Sequence, residues 1–404
     1  MIGGGAAGFF CAVNAAVMNP ELSITLIEKS GKLLSKVKVS GGGRCNVTHA
    51  CFDIAEMSKK YPRGYNFVKK SFHQFFTTDT IEWFRVRGVD LKEEKDGRMF
   101  PVTDSSQTIV DCLMGAASRP GIKILMNSEV KKITPGDDGF DIEMDTETLE
   151  ANFICIASGG YPKSQMFEWI TSLGHSIEEP VPSLFTFNIP GHPIRELMGI
   201  AVENARVKIS GTKSEQLGPV LITHWGLSGP AILRLSAWAA RELKAKNYEF
   251  TIHVNWIPDY SEQTLAERFK IMRVEQASQK VGNKNIFGLP SRLWEFIIKD
   301  AGINDQVRWA DLPAKESNKL VSLLCRYEFN IKGKTTFKEE FVTAGGIILS
   351  EIDANTMMSK RIKDLYFAGE IMDVDGITGG FNFQHAWTSG FIAAKNIALS
   401  ASAV

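Results

Sequence analysis

The sequence predicts an α/β fold built on a Rossmann-like nucleotide-binding domain, and three observations predict it. A Gly-x-Gly-x-x-Gly run occupies residues 3–8, close to the start of the chain. Small and apolar residues over 9–18 indicate a helix, and residues 23–27 alternate as a β-branched strand that ends at Glu28. A glycine turn, a helix and an acid-ended strand in this order are typical of a dinucleotide-binding βαβ unit.

Each glycine of this first turn has its own role in such a unit. Gly3 permits a tight turn, Gly5 lets the backbone approach a pyrophosphate, and Gly8 lets the helix pack closely on the sheet. The helix then directs its free N–H groups and positive dipole end toward the phosphates. Glu28 lies twenty residues after Gly8 and can accept a hydrogen bond from a ribose 2′-OH, which favours an adenosine without a 2′-phosphate.

The strand that should precede Gly3 consists only of Met1 and Ile2. Strands ordinarily contain about five or six residues. Either residues are missing from the start of this sequence or the first strand is stunted, and a stunted strand would weaken affinity for the cofactor.

Composition excludes several classes of function. The 404 residues are 44% hydrophobic and carry 46 basic and 46 acidic side chains, which allows a large core in two or three domains. Zero net charge gives no electrostatic support for binding nucleic acid or an acidic membrane, and no segment has transmembrane length without charges. The six cysteines are scattered without zinc spacing, so we expect a reduced cytoplasmic protein without a metal site.

The chain is expected to leave its first domain and return to it. Residues 1–183 carry α/β patterning and form the first part of the nucleotide-binding domain. An inserted domain follows over 184–335, with alternating strands over 184–258 that predict a β-barrel and amphipathic helices over 259–335. The second part of the first domain occupies 336–404. Within the first part we expect helices over 65–88 and 106–118, a strand over 122–126, a hairpin from 129–133 and 139–144, and a buried strand over 152–157.

A second glycine element lies near the end of the chain. A strand over 365–368 leads to Gly369 and Glu370, and the glycine pair Gly379-Gly380 precedes the last helix. Glu370 could accept a hydrogen bond from a ribityl hydroxyl, and the dipole of the last helix would stabilise the negative charge of a reduced flavin. NAD requires no such element, whereas FAD does, so the sequence predicts FAD as the cofactor.

Four motifs in this order are similar to those of the bacterial BaiN-like flavoproteins, a family often described as aminoacetone oxidases or NAD(P)/FAD-dependent oxidoreductases. The resemblance runs nearly end to end. It implies a glutathione-reductase-like FAD domain, interrupted by a small β-barrel and a helical subdomain, with FAD bound non-covalently. The motifs are residues 3–8, 40–46 (Ser-Gly-Gly-Gly-Arg-Cys-Asn), 343–346 (Thr-Ala-Gly-Gly), and 367–370 continuing to 379–382.

By position, the resemblance implies three groups of cofactor-binding residues. The adenosine and diphosphate half would be held by Gly3, Gly5, Ala6, Ala7, Gly8, Glu28, Lys29, Val130 through its backbone, Ala157, Ser158 and Gly159. The stretch from the pyrophosphate to the flavin would be lined by Ser40, Gly42, Gly43, Arg44, Cys45 and Asn46. The ribityl and ring end would be faced by Gly369, Glu370, Gly379, Gly380, Phe381, Asn382 and Phe383. The family typically has Tyr and Leu in place of Phe381 and Phe383, and Trp in place of His385.

Several residues allow both a functional and a structural interpretation. Arg44 could be a cation near the phosphates or flavin, or a bridge to a loop. Cys45 could be a redox thiol, but it has no paired cysteine close by, which favours packing. His224 and His385 are single histidines that could face substrate or simply pack. No catalytic residue is therefore assigned.

These observations predict a FAD-dependent oxidoreductase. Hydride would pass between a small organic substrate and flavin N5, with O2 or NAD(P)H as the other redox partner and the insert as a lid over the ring. Two alternatives stay open. One is a flavin-dependent RNA-modifying protein, for which neutral charge makes nucleic acid an unexpected partner, although the patch formed by Lys29, Lys32, Lys36 and Lys38 could serve. The other is a flavin-holding scaffold without turnover. The substrate and the oligomeric state stay open.

Overall fold

The computed structural model describes residues 1–145, 147–283, 285–335 and 342–402. Contacts divide this part of the chain into two compact units, one with the described residues up to 183 and from 342 onward, the other with those between 184 and 335. Residues 336–341, where we expect the return to the first domain, lie outside the described residues. None of the described helices combines the length and apolar character that a membrane crossing requires.

The first part of the first unit alternates short strands and helices, as the sequence predicts. Its elements are α1 (Ala6–Met18), β1 (Thr25–Ile27), α2 (Ser35–Gly43), β2 (Thr48–His49), α3 (Ile54–Ser58), α4 (Tyr65–Ser71), α5 (Thr77–Arg85), β3 (Leu91–Glu93), β4 (Arg98–Pro101), α6 (Ser106–Ser118), β5 (Lys123–Leu125), β6 (Val130–Pro135), β7 (Phe140–Met144), β8 (Thr148–Ala151), β9 (Ile154–Ile156), α7 (Glu168–Thr171) and β10 (Ile177–Ser183).

The second unit follows with β11 (Thr186–Asn188), β12 (Ala201–Ile209), β13 (Glu215–Ile222), β14 (Gly226–Ser228), α8 (Pro230–Trp238), α9 (Ala240–Ala245), β15 (Glu249–Asn255), α10 (Glu262–Glu275), α11 (Ser291–Ala301), α12 (Ala314–Cys325), β16 (Tyr327–Lys332) and β17 (Lys334–Thr335). The chain then completes the first unit with β18 (Val342–Ile347), β19 (Leu365–Phe367) and α13 (Phe381–Ala401).

A parallel sheet forms the centre of the first unit, and a single residue replaces its middle strand. β1 pairs in parallel with β5, and β9 pairs in parallel with β19. Ile2 bridges the two pairs because it forms parallel bridges with both Ile27 and Ile156. The Ile2 N–H donates to Cys155 O at 2.9 Å, and the Gly3 N–H donates to Ile27 O at 2.7 Å. The expected short first strand is therefore present at the centre of the sheet.

Helices α1 and α13 pack closely against each other beside this sheet. Small residues make the approach possible, since a Cβ added at Gly390 of α13 would lie 2.8 Å from Ala7 O of α1. Phe10 and Trp387 pack between these helices with ring centroids 5.2 Å apart, and both are fully buried. The two ends of the sequence therefore share one core.

An antiparallel meander and a break between two helices lie at the periphery of the first unit. β6, β7 and β8 form a meander, which includes the predicted hairpin. The helix predicted over 65–88 is instead two helices, α4 and α5. The Asp79 carboxylate accepts a hydrogen bond from the Phe76 N–H at 2.7 Å and so caps the start of a new helix.

The strands of the second unit form a seven-stranded antiparallel sheet that closes on itself. Its order is β16-β15-β12-β13-β14-β11-β17, and β16 and β17 are separated only by Gly333. The two edges of the sheet are therefore one bent segment, so the sheet is a barrel. Residues 327–335, which the sequence analysis placed with the helices, are strands of this barrel. Their side chains alternate between buried and exposed along β16, as a barrel wall requires.

Candidate cofactor site

The first glycine turn closes tightly on the sheet but is open at one point. A Cβ at Gly3, whose φ is +113°, would lie 2.4 Å from Ala157 O, and a Cβ at Gly8 would lie 2.0 Å from Gly3 O. A Cβ at Gly5 would meet nothing within 4 Å. Gly5 caps α1 and has no side chain, so no side-chain cap satisfies the N–H groups of the first turn. This turn, called the cradle below, would suit an anion at the N-terminus of α1.

Glu28 lies at the end of β1 and touches this cradle. Its Oε2 accepts a hydrogen bond from the Gly4 N–H at 2.8 Å, and its Oε1 accepts from the N–H and hydroxyl of Ser30 at 2.9 and 2.7 Å. The Glu28 backbone carbonyl also accepts from Ser128 N, close to the buried Val130 at the start of β6. The structure thus brings Glu28 and Val130 together on the side where adenosine is expected.

Residues 157–159 form the opposite wall of the cradle. The Ala157 N–H donates to Ile2 O at 2.8 Å, which fixes this segment beside the first turn. The Ser158 hydroxyl oxygen is buried near the Tyr161 hydroxyl and forms no close hydrogen bond among the described residues. Gly159 has a φ of +75°. Lys29 lies near this wall, with its ammonium 5.3 Å from the centroid of the Tyr161 ring. A buried hydroxyl without a partner fits a polar ligand at this position.

The second glycine element meets the first. A Cβ at Gly369 would lie 2.8 Å from the Cβ of Ala7, in the first turn of α1. Glu370 follows, and its Oε1 accepts a hydrogen bond from Thr343 N at 2.9 Å, whereas its Oε2 contacts Lys36 Nζ at 2.5 Å. Glu370 also lies next to residues 159–160, since a Cβ at Gly160 would be 2.9 Å from its Oε1. The two glycine elements therefore converge.

The glycine pair at the start of α13 contacts the segment after α2. A Cβ at Gly380, whose φ is +91°, would lie 2.5 Å from Thr48 O. With its amide oxygen turned toward α13, Asn46 accepts from Gly380 N and donates to Thr48 O, both at 3.0 Å. The side chain of His49 is 3.0 Å from Gly379 O. These contacts hold the N-terminus of the last helix against residues 46–49.

The side chains expected at the ring end pack into the protein instead of into open space. The buried ring of Phe381 stacks on His49 with centroids 4.7 Å apart, and its carbonyl accepts from Tyr61 Oη at 2.6 Å. Asn382 accepts from Gly376 N and donates to Gly376 O, at 2.8 and 2.9 Å. Phe383 stacks on Trp387. These three side chains shape the loop, so a cofactor at this end would contact the loop through its backbone groups.

The Ser-Gly-Gly-Gly-Arg-Cys-Asn segment contains a kink, and its arginine forms ion pairs with two carboxylates. Gly42 and Gly43 have positive φ, and a Cβ at either position would meet nothing within 4 Å, whereas the Ser40 hydroxyl donates to Val37 O at 3.0 Å. Arg44 contacts Glu94 at 2.6 Å and Asp104 at 3.6 Å, and its guanidinium lies 4.0 Å from the Phe100 ring centroid. This geometry matches the structural interpretation of Arg44.

Cys45 is fully buried, and burial raises the pKa of its thiol to about 12. Thiol chemistry requires the thiolate, which this environment strongly disfavours. No group of three or more His, Cys, Asp or Glu residues in the described ranges could hold a metal ion. The structure therefore favours packing as the role of Cys45.

The two single histidines have opposite environments. His385 in α13 is 2% exposed, and neither ring nitrogen has a hydrogen-bond partner among the described residues. Desolvation lowers the pKa of His385 to about 4, so the ring is neutral at pH 7. His224 is exposed in the second unit, and its ring lies tilted against that of Trp225 with centroids 4.3 Å apart.

Sequence reasoning did not assign to the site two residues that contact Glu370. Lys36 contacts Glu370, and Thr343 donates its N–H to the same carboxylate and keeps a buried hydroxyl without a partner in the described part of the chain. Thr343 opens the Thr-Ala-Gly-Gly motif, which was a usable signal. Lys36 gave no signal beyond its place in a run of lysines, because its partner is 334 residues away.

The open cradle at Gly5 and the unpartnered hydroxyls fit a bound dinucleotide. The residues that would hold FAD come from both ends of the chain: residues 3–8, Glu28, residues 157–159, and residues 369–370 and 379–380. When bound, FAD would supply two-electron hydride chemistry at its flavin N5.

Comparison with known proteins also identifies a Rossmann domain in this chain. The model of the HI0933-like protein Rossmann domain matches residues 1–396. A ribosomal RNA dihydrouridine synthase of Escherichia coli (strain K12) is 28% identical over 407 residues, covering 98% of this chain and 97% of its own. A 3-dehydro-bile acid Δ(4,6)-reductase of Clostridium scindens is 24% identical over 404 residues, with the same coverage.

Solved structures show the same fold at low sequence identity. The 3-ketosteroid Δ1-dehydrogenase of Sterolibacterium denitrificans superposes with a TM-score of 0.52 at 12% identity, covering 99% of this chain and 98% of its own. The FrdA subunit of Escherichia coli quinol fumarate reductase gives 0.50 at 16% identity, covering 99% of this chain and 69% of its own. The chain thus belongs to the HI0933-like family, which confirms the resemblance found from its motifs, and its fold is the FAD-binding Rossmann fold of flavoprotein oxidoreductases.

Proposed function

We propose that this FAD-dependent oxidoreductase reduces a carbon–carbon double bond conjugated to a carbonyl group. The observation that carries the proposal is the convergence of the two glycine elements, with Gly369 against Ala7 and an open cradle at Gly5. This arrangement suits an extended FAD, whose phosphates would meet the N-terminus of α1 and whose ring would meet the N-terminus of α13.

The chemistry of the named relatives supports the choice of substrate. A dihydrouridine synthase saturates a pyrimidine double bond next to a ring carbonyl, and a Δ(4,6)-reductase of a 3-dehydro-bile acid saturates double bonds conjugated to a ketone. In such a reaction the β-carbon of the substrate would accept a hydride and its α-carbon would accept a proton from water. NADH or NADPH would supply the two electrons by way of the cofactor.

In this proposal, residues of the chain would bind FAD and orient it for the reaction. Glu28 would accept a hydrogen bond from the adenosine ribose, and Glu370 would accept one from the ribityl chain. The N-terminus of α13, fixed by Asn46, would favour negative charge on the ring edge. The sequence has no second Gly-x-Gly-x-x-Gly turn, so a nicotinamide nucleotide would visit the flavin without a domain of its own.

A second candidate places the conjugated double bond in ribosomal RNA, as the names of two relatives indicate. The zero net charge of the chain opposes this candidate, since RNA affinity depends on phosphate neutralisation. Two members of the lysine patch considered for RNA are also engaged, because Lys36 contacts Glu370 and Lys29 lies over Tyr161. The small-molecule candidate is therefore preferred.

Anaerobic reduction tests the proposal. The FAD-loaded protein is mixed with NADH or NADPH and then with a cyclic enone, or with unmodified ribosomal RNA, while flavin absorbance is followed. Reoxidation of the flavin by the enone, with a saturated product in mass spectrometry, is expected. Reoxidation only by RNA selects the second candidate. A flavin that stays reduced with both substrates, and is reoxidised only when O2 is admitted afterwards, contradicts the proposal.

A further inference from the structure

Lys36 is the one cation that the described residues place in direct contact with the cradle carboxylate Glu370. The two side chains meet at 2.5 Å, with 45% of the lysine and 17% of the glutamate side chain exposed. Helix α2 carries Lys36 to this position because its first turn is tied to the glycine turn, where Leu34 N donates to Gly4 O at 2.8 Å. The ammonium thus lies beside the second glycine element, on a helix whose start is tied to the first.

The negative charges around the expected position of the FAD diphosphate favour a cation next to it. A FAD diphosphate carries two negative charges, and the carboxylates of Glu28 and Glu370 flank the place where it would lie. Lys29 lies over the Tyr161 ring, with its ammonium 5.3 Å from the ring centroid. Arg44 is held by Glu94 and Asp104. Like charges at close range disfavour binding unless a cation lies among them.

We propose that Lys36 is the counter-ion of the FAD diphosphate and that Glu370 holds its ammonium in the ligand-free protein. When FAD binds, Glu370 exchanges the ammonium for a ribityl hydroxyl, and Lys36 turns to the phosphates. The exposed side chain of Lys36 is long and flexible, so this change requires no movement of the backbone. The inference rests on FAD as the cofactor of the proposed function but not on the identity of the substrate.

Binding of FAD and of ADP to the apoprotein tests this role, with Lys38→Ala as the matched control. ADP carries the diphosphate but no ribityl chain. Lys38 is exposed on the same helix, two residues further along. We expect Lys36→Ala to weaken both ligands by about tenfold at low salt, because a charge-assisted contact is lost. The difference should shrink as ionic strength rises. Lys36→Arg and Lys38→Ala should bind like the wild type.

A second variant separates direct action on the phosphates from action through Glu370. In a Glu370→Gln background, Lys36→Ala should still weaken ADP by about tenfold. Wild-type ADP affinity in Lys36→Ala, or an equal loss in Lys38→Ala, would overturn the proposal. Failure of the proposed reaction would appear differently, as normal FAD and ADP binding without reduction of any enone.

Discussion

Substitution of Gly5 by valine probes the cradle with little effect on the rest of the fold. Gly5 has φ −94° and ψ −170°, an extended conformation that valine adopts readily. A Cβ there would meet no atom of the protein within 4 Å. The new side chain therefore fills only the space that we assign to the diphosphate.

The expected loss can be estimated from the contacts at the start of α1. Hydrogen bonds from backbone N–H groups to a charged phosphate contribute about 1.5–3 kcal/mol each. Loss of two of them, from the first turn of α1, corresponds to about 3–6 kcal/mol, or a roughly 10²- to 10⁴-fold weaker Kd. The change at the helix cap itself costs only about 1 kcal/mol of stability.

The assay is the flavin-to-protein absorbance ratio after purification, followed by titration of the apoprotein with FAD. Gly115→Val is the matched control, because a Cβ at Gly115 on α6 also meets nothing within 4 Å. We expect a colourless Gly5→Val protein with near-normal melting temperature and a yellow Gly115→Val protein. Wild-type flavin content in folded Gly5→Val would refute the assignment of the cradle.

Four further predictions follow from single residues. Glu28→Ala should weaken FAD but leave FMN, which lacks adenosine, unaffected in a fluorescence titration; equal loss of both would contradict the role of Glu28. Burial lowers the pKa of His385 from its ordinary 6.5 to about 4. The folded protein should therefore lose stability as the pH falls from 6.5 toward 4, by about 2 kcal/mol at pH 5. Urea unfolding should show a flatter profile for His385→Phe, and an unchanged profile would count against a neutral buried ring. Burial opposes ionisation of Glu351, but hydrogen bonds, first from Arg361, outweigh it and lower its pKa to about 2. Its contribution to stability is therefore present above pH 4.5 and lost as pH falls toward 2, and Glu351→Gln should remove this dependence from acid unfolding curves. Iodoacetamide at pH 8 should not alkylate buried Cys45 in the native protein, and rapid labelling found by mass spectrometry would disprove the burial.

Local patterns in the sequence predict much of the first unit. The glycine turn, α1 and the acid-ended strand β1 are encoded within thirty residues, so periodicity and turn chemistry are sufficient. The meander of β6 and β7 is likewise local. The positions of Glu28 and Glu370 at strand ends follow from the same patterns.

Features set by distant residues could not be predicted. Closure of the barrel depends on residues 327–335, which supply both edge strands of the sheet by pairing with β15 and β11 and which follow three helices along the chain. Arg44 was open to two interpretations because its partner Glu94 lies fifty residues away. Lys36 and Glu370 meet only in the folded chain.

A crystal structure of the protein loaded with FAD tests the central claim most directly. It should show one extended FAD per chain, its diphosphate against residues 3–8 and its flavin against residues 369–380. A diphosphate bound elsewhere, or a flavin held without contact to the second glycine element, would contradict the claim that the two elements form one site.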